Sequence, residues 1–262
     1  MAFTPRYLRQ HEARGALMAE PLLNVENLGK RFGGFVALDG INLSVQPGER
    51  VGLIGPNGSG KSTLVNCMCG TLQNETGTVR FDGHIVDGLA AHQRTHRGMA
   101  RSFQLPRPFV TLSVAENLRI PLLYTAFARR GAHHTPGEID ARCAELIGLV
   151  GLSAKAGKLP RDLTQVEMRK LELARAMAAD PKLLIADEAM AGLSQSEVTE
   201  IVELLIRMNE RGVTIILIEH IMRAVMSFSQ RLVVLVSGKK IADGKPEDVV
   251  NNPEVIGAYL GQ

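Results

Sequence analysis

Three short stretches of the chain combine residue types that suit chemistry on phosphate groups. They read GPNGSGKST at 55–63, LLIADE at 183–188 and ILIEH at 216–220. Glycines allow backbone N–H groups to turn inward around an anion, and lysine and hydroxyl side chains can bind phosphate and Mg²⁺. The first stretch therefore predicts a nucleotide-binding site.

The elements around the glycine-rich loop have the order that such a site needs. A β-rich run, RVGLI, precedes the loop, and a helical pattern follows it. The helix would aim the positive end of its dipole at the bound phosphates. We expect Lys61 to reach the β- and γ-phosphates and Ser62 to offer its hydroxyl to Mg²⁺. The loop residues expected at the nucleotide are Gly55, Pro56, Asn57, Gly58, Ser59, Gly60, Lys61, Ser62 and Thr63.

The acidic pair Asp187 and Glu188 ends an apolar run that is typical of a buried strand. Taken alone it could equally be a strand end with two solvated acids. Beside a phosphate-binding loop, the first carboxylate is expected to hold Mg²⁺, directly or through water, and the second to polarise an attacking water. Lys61 and Asp187 are 126 residues apart (187 − 61), and helical segments occupy much of that interval.

The remaining periodicity indicates an α/β fold. The N-terminal part has short β-rich runs separated by turns, including TVRFDGHIV, which predicts a hairpin turning at Asp-Gly. Residues 107–165 are mainly helical, with RRGAHHTPG at 129–137 predicted as a loop. From Val166 onward strands alternate with helices, which favours a mostly parallel sheet covered on both faces.

Composition gives no support to several other classes of protein. The net charge is only +3, from 30 basic and 27 acidic residues, so nothing points to nucleic acid as a partner. No apolar run approaches the roughly 18–20 residues that span a bilayer. Residues 1–20 lack the apolar segment of a secretory signal and are expected to form an N-terminal tail. Three cysteines do not make a disulfide framework, and we expect them to be reduced.

A nucleotide-binding core interrupted by a helical insert resembles the ATP-binding-cassette (ABC) ATPases. The resemblance covers residues 21–262 as one ATPase domain, with a helical subdomain inserted at about 105–165. It implies a P-loop NTPase (RecA-like) core with a mostly parallel sheet and an N-terminal antiparallel β-subdomain. ATP and Mg²⁺ would be its cofactors.

The same resemblance assigns roles to three further residues. Phe32 would stack on adenine, although packing in the core is an alternative for this side chain. Gln104, in ARSFQ, would sense Mg²⁺ as a ligand beside Ser62 and Asp187. His220 would contact the γ-phosphate, so that Glu188, His220 and Gln104 form the catalytic set.

Longer stretches resemble one subfamily, the ATPases of branched-chain amino-acid uptake systems. They are DEAMAGL, ARSFQLPRPFVTLSVAENL and GKPEDVVNNPEVIGAYLG. The resemblance implies a peripheral protein on the cytosolic face of the membrane, bound to two permease subunits close to Ala115–Leu118. A second ATPase chain, the same or different, and an extracytoplasmic solute-binding protein would complete the system. Importers of urea or short amides, and a soluble ABC ATPase acting without a membrane, remain alternatives.

The segment LTQVE at 163–167 stands where these ATPases carry a signature near LSGGQ. In the family this segment meets the γ-phosphate held by the partner chain, which makes Thr164 a candidate nucleotide contact. The two glycines of the signature are replaced by Gln165 and Val166, and Glu167 adds a carboxylate. Thr164 and Glu167 also fit a helix-capping box. We therefore hypothesise that the phosphate loop of this chain is competent and that the composite site receiving its LTQVE is weak, which would give a heterodimer with one strong and one weak ATP site.

Overall fold

The structure, a computed structural model, describes residues 20–102, 106–130 and 135–260. Its strands form two sheets. The antiparallel sheet has the order β2-β1-β4-β5, with β1 Leu23–Phe32, β2 Phe35–Val45, β4 Thr76–Phe81 and β5 His84–Ile85. The larger sheet has the order β10-β9-β3-β8-β7-β6, with β3 Arg50–Ile54, β6 Met99–Ser102, β7 Leu183–Asp187, β8 Thr214–Ile218, β9 Arg231–Val236 and β10 Lys239–Gly244.

Helices cover the larger sheet and fill the interval between β6 and β7. In chain order they are α1 Lys61–Cys69, α2 Ala91–Arg97, α3 Val114–Pro121, α4 Ala128–Arg130, α5 Pro136–Leu149, α6 Gln165–Ala178, α7 Gln195–Glu210, α8 Met222–Phe228, α9 Pro246–Val250 and α10 Pro253–Leu260. A π-helix, Leu122–Phe127, joins α3 to α4, and two 3₁₀ turns lie at Ser153–Lys155 and Pro160–Asp162.

The larger sheet is mostly parallel and buried on both faces, as predicted. Strands β9, β3, β8, β7 and β6 pair in parallel, and only β10 is antiparallel at the edge. Alternate side chains of β7 enter different cores: Leu184 packs with α6 and α7, whereas Leu183 packs with α1 and the antiparallel sheet. Such strands are continuous apolar runs because neither face meets water.

The predicted hairpin at TVRFDGHIV is also confirmed. β4 and β5 pair in antiparallel register, with Phe81 opposite His84. Asp82 and Gly83 form the turn, and both have positive φ, at 52° and 76°. Two consecutive residues of this kind match the twist of the flanking strands, which is why Asp-Gly is favoured there.

The middle region is helical, but its boundaries differ from the sequence prediction. Residues 129 and 130 complete α4 rather than starting a loop, and Pro136 begins α5 with Thr135 as its N-cap. Within the predicted loop, residues 131–134 lie outside the described residues.

Two elements, α2 and β6, were not predicted, because the run HQRTHRGMARS has neither the helical nor the strand periodicity in strong form.

The helices of the middle region share a core with the larger sheet. Leu118 of α3 and Leu146 of α5 are fully buried in the same cluster as Leu171 of α6 and Leu184 of β7. Cys67, Cys69 and Cys143 are buried and free, in agreement with the sequence. Throughout the described ranges, no helix combines the length and the apolar character needed to cross a bilayer.

Candidate nucleotide site

Four neighbouring strands of the larger sheet end at the same edge, and each is followed by one of the candidate segments. β3 leads into GPNGSGKST, β8 into Glu219 and His220, β7 into Glu188, and β6 into the segment that contains Gln104. The strand order β3-β8-β7-β6 therefore brings together segments that are far apart in sequence. Ligands of open α/β sheets bind at such carboxyl ends.

The glycine-rich loop fits closely between its neighbours. Gly55 has φ of 154°, and a Cβ placed there would lie 2.1 Å from the carbonyl oxygen of Leu235. Gly60 has φ of 101°, and its Cβ would lie 2.7 Å from the carbonyl oxygen of Ala37. Any side chain at these positions would displace backbone, so the loop conformation requires glycine. It ends at the first residue of α1, where the positive end of the helix dipole favours an anion.

Lys61 lies against this loop and near the acidic pair. Its ammonium group donates to the carbonyl oxygens of Gly55, at 2.6 Å, and Pro56, at 2.9 Å. Burial lowers the pKa of Lys61, and the charges of Glu188 and Asp187 oppose that shift. The two carboxylates therefore act on the lysine through space, although 126 residues (187 − 61) separate it from Asp187.

Asp187 is a nearly buried carboxylate with a cationic partner. Its Oδ2 accepts from Nη2 of Arg101 at 2.6 Å, and its backbone N–H donates to the hydroxyl of Ser102 at 3.3 Å. Arg101 is itself held by the Oδ1 of Asn66, at 2.7 Å. Glu188 has φ of 47°, an uncommon conformation for a residue with a side chain. Its backbone N–H donates to the carbonyl of Ile218, at 2.9 Å, which joins the ends of β7 and β8.

His220 and Glu219 follow β8 but have opposite environments. The His220 side chain is 69% exposed at the edge of the sheet, whereas the Glu219 side chain is fully buried. An exposed imidazole at this position is available to a ligand, and it is not part of the core. Glu219 accepts a backbone hydrogen bond from Met190, two residues beyond Glu188.

Phe32 is half exposed, so packing in the core, the alternative considered for it, is wrong. It ends β1 opposite Phe35, which is also exposed, and the ammonium of Lys30 lies 5.6 Å from the centre of its ring. An exposed ring at a strand end can stack on a base.

Gln104 lies outside the described residues, so its predicted roles rest on sequence alone.

LTQVE forms the predicted capping box. Thr164 is the N-cap of α6, its hydroxyl accepts from the backbone N–H of Glu167, and the Glu167 carboxylate accepts from the backbone N–H of Thr164. The same Oε2 of Glu167 also accepts from Lys155 at 2.6 Å. The carboxylate at this helix end is therefore paired with a cation of the same chain.

Two residues of the site were not identified from sequence. Arg101 lies three positions before Gln104 in ARSFQ, and Glu219 interrupts the apolar run before His220. Glu219 could have been found as a charged residue at the end of a predicted buried strand, because such a residue needs a partner. Arg101 gave no such signal, because β6 was not predicted. Which residue pairs with Arg101 or with Glu219, however, depends on the order of strands in the sheet.

The sequence model of the ABC transporter family matches residues 38–191, more than half of the chain. The chain belongs to the ABC transporter family. A second family model, described as branched-chain amino acid ATP-binding cassette transporter, matches residues 239–262.

Similar proteins cover this ABC protein almost completely. The high-affinity branched-chain amino acid transport ATP-binding protein BraF of Pseudomonas aeruginosa is 38% identical over 255 residues, which are 94% of this chain and 100% of BraF. LivG of Escherichia coli, a protein with the same descriptive name, is 38% identical over 258 residues, 94% of this chain and all of LivG.

Solved ABC cassettes have the same fold. The ADP conformation of MJ1267, an ATP-binding cassette of an ABC transporter, is 30% identical with a TM-score of 0.82 and covers 92% of this chain and 99% of its own. A nucleotide-free ATP-binding cassette from an ABC transporter has a TM-score of 0.81 at 30% identity, covering 92% of this chain and all of its own. The predicted P-loop NTPase core with a second, antiparallel sheet is confirmed.

Proposed function

We propose that this chain binds and hydrolyses ATP as the motor subunit of an importer for branched-chain amino acids. The observation that carries the proposal is the common edge of the larger sheet, where the phosphate loop, Asp187, Glu188 and His220 follow three adjacent strands. This arrangement supplies a phosphate cradle, a carboxylate for Mg²⁺, a base and an imidazole in one place.

The residues present fit Mg²⁺ and ATP. The cradle needs glycine at Gly55, and the carboxylate of Asp187 together with the hydroxyl of Ser62 are the oxygen donors that Mg²⁺ prefers. Sequence adds Gln104 to that set. When bound, Mg²⁺ would neutralise charge on the phosphates. Oxygen ligands and a glycine cradle support a nucleotide with its metal rather than a zinc site.

Each protein group has a distinct task in hydrolysis. Backbone N–H groups of the loop and the ammonium group of Lys61 hold the phosphates. The position of Lys61 against Gly55 supports this role. Glu188 orients and polarises the attacking water, His220 contacts the γ-phosphate from the neighbouring strand end, and Gln104 senses the metal. Phe32 stacks on the adenine.

The choice of solute rests on the relatives and on the C-terminal match. BraF and LivG are named for branched-chain amino acid transport, and the family model at residues 239–262 carries the same description. An importer of urea or short amides remains the alternative from sequence. A soluble ABC ATPase has no observation in its favour.

The partners follow from the same proposal. Two permease subunits, a second ATPase chain and an extracytoplasmic solute-binding protein would complete the system, with this chain peripheral on the cytosolic face. Of the predicted contact segment Ala115–Leu118, only Glu116 is exposed. The exposed apolar side chains nearby are better candidates for the permease contact, and they are Phe109, Val110, Leu123 and Tyr124.

Hydrolysis is tested with the purified full-length chain and three variants. Lys61→Ala is expected to lose nucleotide binding. Glu188→Gln is expected to bind ATP normally but to lower kcat by about 100-fold or more, because the base is removed. Glu203→Gln, a change of an exposed acid on α7, is the control and should leave both unchanged. Full activity of Glu188→Gln would overturn its role, and wild type without hydrolysis in the assembled transporter would overturn the proposal.

The hypothesis of one strong and one weak ATP site stays a prediction. The capping box accounts for Thr164 and Glu167 without any nucleotide, which supports a reduced role of LTQVE toward the partner chain. In the assembled transporter, Thr164→Ala should lower hydrolysis much less than Lys61→Ala. Equal loss in the two variants would refute the asymmetry.

A further inference from the structure

Glu219 is a buried acid for which the roles above give no task. It lies directly between β8 and the exposed His220, and only 2% of the residue is accessible. Placing a carboxyl group in the interior is unfavourable unless hydrogen bonds or charges compensate for the lost water. The contacts of Glu219 are therefore informative about its role.

One contact joins Glu219 to the loop that follows the acidic pair. Its Oε1 accepts from the backbone N–H of Met190 at 2.8 Å, in a buried position. The backbone N–H of Glu188 donates to the carbonyl of Ile218, the residue just before Glu219. The chain just after β7 is thus hydrogen-bonded twice to the end of β8, once through Glu188 itself and once two residues beyond it.

The same loop is held from its other side by α6. The carbonyl oxygen of Ala191 accepts from Nη2 of Arg169 at 3.3 Å and from Nε2 of Gln165 at 3.4 Å. Arg169 is buried and near enough to Glu219 for the two charges to interact. Residues 189–192, here called the junction loop, are therefore clamped between the His220 segment and the helix that starts at LTQVE.

The electrostatic surroundings of Glu219 indicate which property matters. Burial raises the pKa of Glu219 and so does the charge of Glu188, while the Met190 N–H and His220 oppose the shift. Its second oxygen, Oε2, has no hydrogen-bond partner among the described residues. An amide side chain offers the same acceptor without the charge, and would suit this environment.

We propose that Glu219 is a positioning residue, which holds the junction loop through the Met190 N–H and thereby fixes Glu188 relative to His220. Its effect on hydrolysis rests on the proposed function, whereas its effect on the loop does not. Through Ala191, the contact also connects both residues to the start of α6. A change in the conformation of the start of α6 would then be transmitted to the carboxylate of Glu188 through the hydrogen-bonded junction loop.

The experiment compares Glu219→Ala and Glu219→Gln with Glu172→Ala in the full-length chain. Glu172 is the control, since it is also a buried acid and accepts a backbone N–H, that of Arg107 at 3.0 Å, and its other oxygen pairs with Arg175 at 2.7 Å. Two quantities are measured: hydrogen exchange of peptides covering 188–193 without nucleotide, and the steady-state kinetics of ATP hydrolysis.

Loss of one buried hydrogen bond should speed exchange of the junction loop about tenfold in Glu219→Ala. In that variant kcat should fall about tenfold while KM for ATP changes less than about twofold, because the phosphate loop is untouched. Glu219→Gln should restore both values. Glu172→Ala should lower thermal stability without changing either.

Three results would overturn the proposal. Unchanged exchange in Glu219→Ala would show that the contact does not hold the loop. Damage by Glu219→Gln equal to that by Glu219→Ala would assign the effect to charge and Arg169 instead of the hydrogen bond. Faster exchange with normal kcat in Glu219→Ala would show that Glu219 has no role in hydrolysis. If wild type hydrolyses no ATP, the proposed function fails, and exchange alone decides whether Glu219 holds the loop.

Discussion

At the scale of single residues, the pairing of Asp187 with Arg101 shows how the carboxylate proposed to bind Mg²⁺ is kept in place. Only 11% of the Asp187 side chain and 17% of the Arg101 side chain are exposed. Asn66 fixes the guanidinium from its other end. The arginine stabilises a charge that burial would otherwise disfavour, and Mg²⁺ would share the same carboxylate.

Replacing Arg101 by methionine tests this pairing, because the side chain keeps its bulk and loses its charge. We expect the free energy of unfolding to fall by about 1–3 kcal/mol, since Asp187 is left buried without its cation. Added Mg²⁺ with ADP should stabilise the variant more than it stabilises wild type. Thermal and urea unfolding measure both effects.

The control for this change is Arg119→Met. Arg119 pairs with Asp140, but their side chains are 42% and 60% exposed, so its loss should cost about 0.5 kcal/mol or less. A loss in the Arg101 variant no larger than in this control would contradict the account.

Residue-scale chemistry could be predicted from sequence where the signal is local. The glycine-rich loop GPNGSGKST is recognisable within nine positions, and the prediction for Asp187 and Glu188 depends on that loop being present. Arg101 and Glu219 do not, since their partners lie 86 and 29 residues away and meet them only because β6, β7 and β8 are adjacent.

At the scale of elements, the start of α6 explains LTQVE as local structure. Thr164→Ala removes the hydroxyl that accepts from Glu167, and should lower the free energy of unfolding by about 1 kcal/mol. Thr164→Ser retains that hydroxyl and should lose much less. Urea unfolding of the two variants distinguishes them, and equal stability would show that the cap contributes nothing.

The capping carboxylate also predicts a pH dependence. The Lys155 ammonium and the Thr164 N–H lower the pKa of Glu167 from its ordinary value of 4.5. A lowered pKa in the folded state means that the contribution is present above pH 4.5 and is lost as pH falls through the folded value. Wild type should therefore exceed Glu167→Gln in stability at pH 7, and the difference should shrink below about pH 4.5.

Urea unfolding of both chains at pH 7, 5 and 3.5 measures that difference. A difference that stays constant across this range would mean that ionised Glu167 does not stabilise α6. Lys155→Met is a second variant to measure, because it removes the ammonium that lowers the pKa of Glu167. It should reduce the difference in stability between wild type and Glu167→Gln at pH 7 when that pair is compared in its background.

Elements were predicted well where periodicity was strong and poorly where it was not. The buried strands β7, β8 and β9 are unbroken apolar runs and were located from sequence. The π-helix Leu122–Phe127 follows Pro121, which removes a backbone donor, and no periodic pattern signals that change. The edge strand β6 contains two charged or polar residues in four and was missed.

At the scale of the whole molecule, the helices between β6 and β7 are part of the main core. Leu146→Ala on α5 should cost about 2–5 kcal/mol, as for a buried leucine. Because Leu184 of β7 belongs to the same cluster, the protection of β7 against hydrogen exchange should fall by a similar free energy. Loss of protection in α5 alone would show that the inserted helices unfold as a separate unit.

The order of strands was the main feature that sequence could not supply. Local patterns predict parallel strands but not that β8 lies between β3 and β7. That order places His220 between the phosphate loop and the acidic pair, and so determines which residues can act together. The resemblance to a known family implied that Glu188, His220 and Gln104 act together, but neither it nor periodicity was used to predict the order of strands.

We propose that ATP hydrolysis at this site drives uptake of branched-chain amino acids. The most direct measurement is uptake of radiolabelled leucine by cells whose own copy is replaced by wild type or by Lys61→Ala, at equal protein levels. Radiolabelled urea is followed in parallel. We predict that the variant abolishes leucine uptake and leaves urea uptake unchanged. Leucine uptake that is the same in both strains would contradict the account.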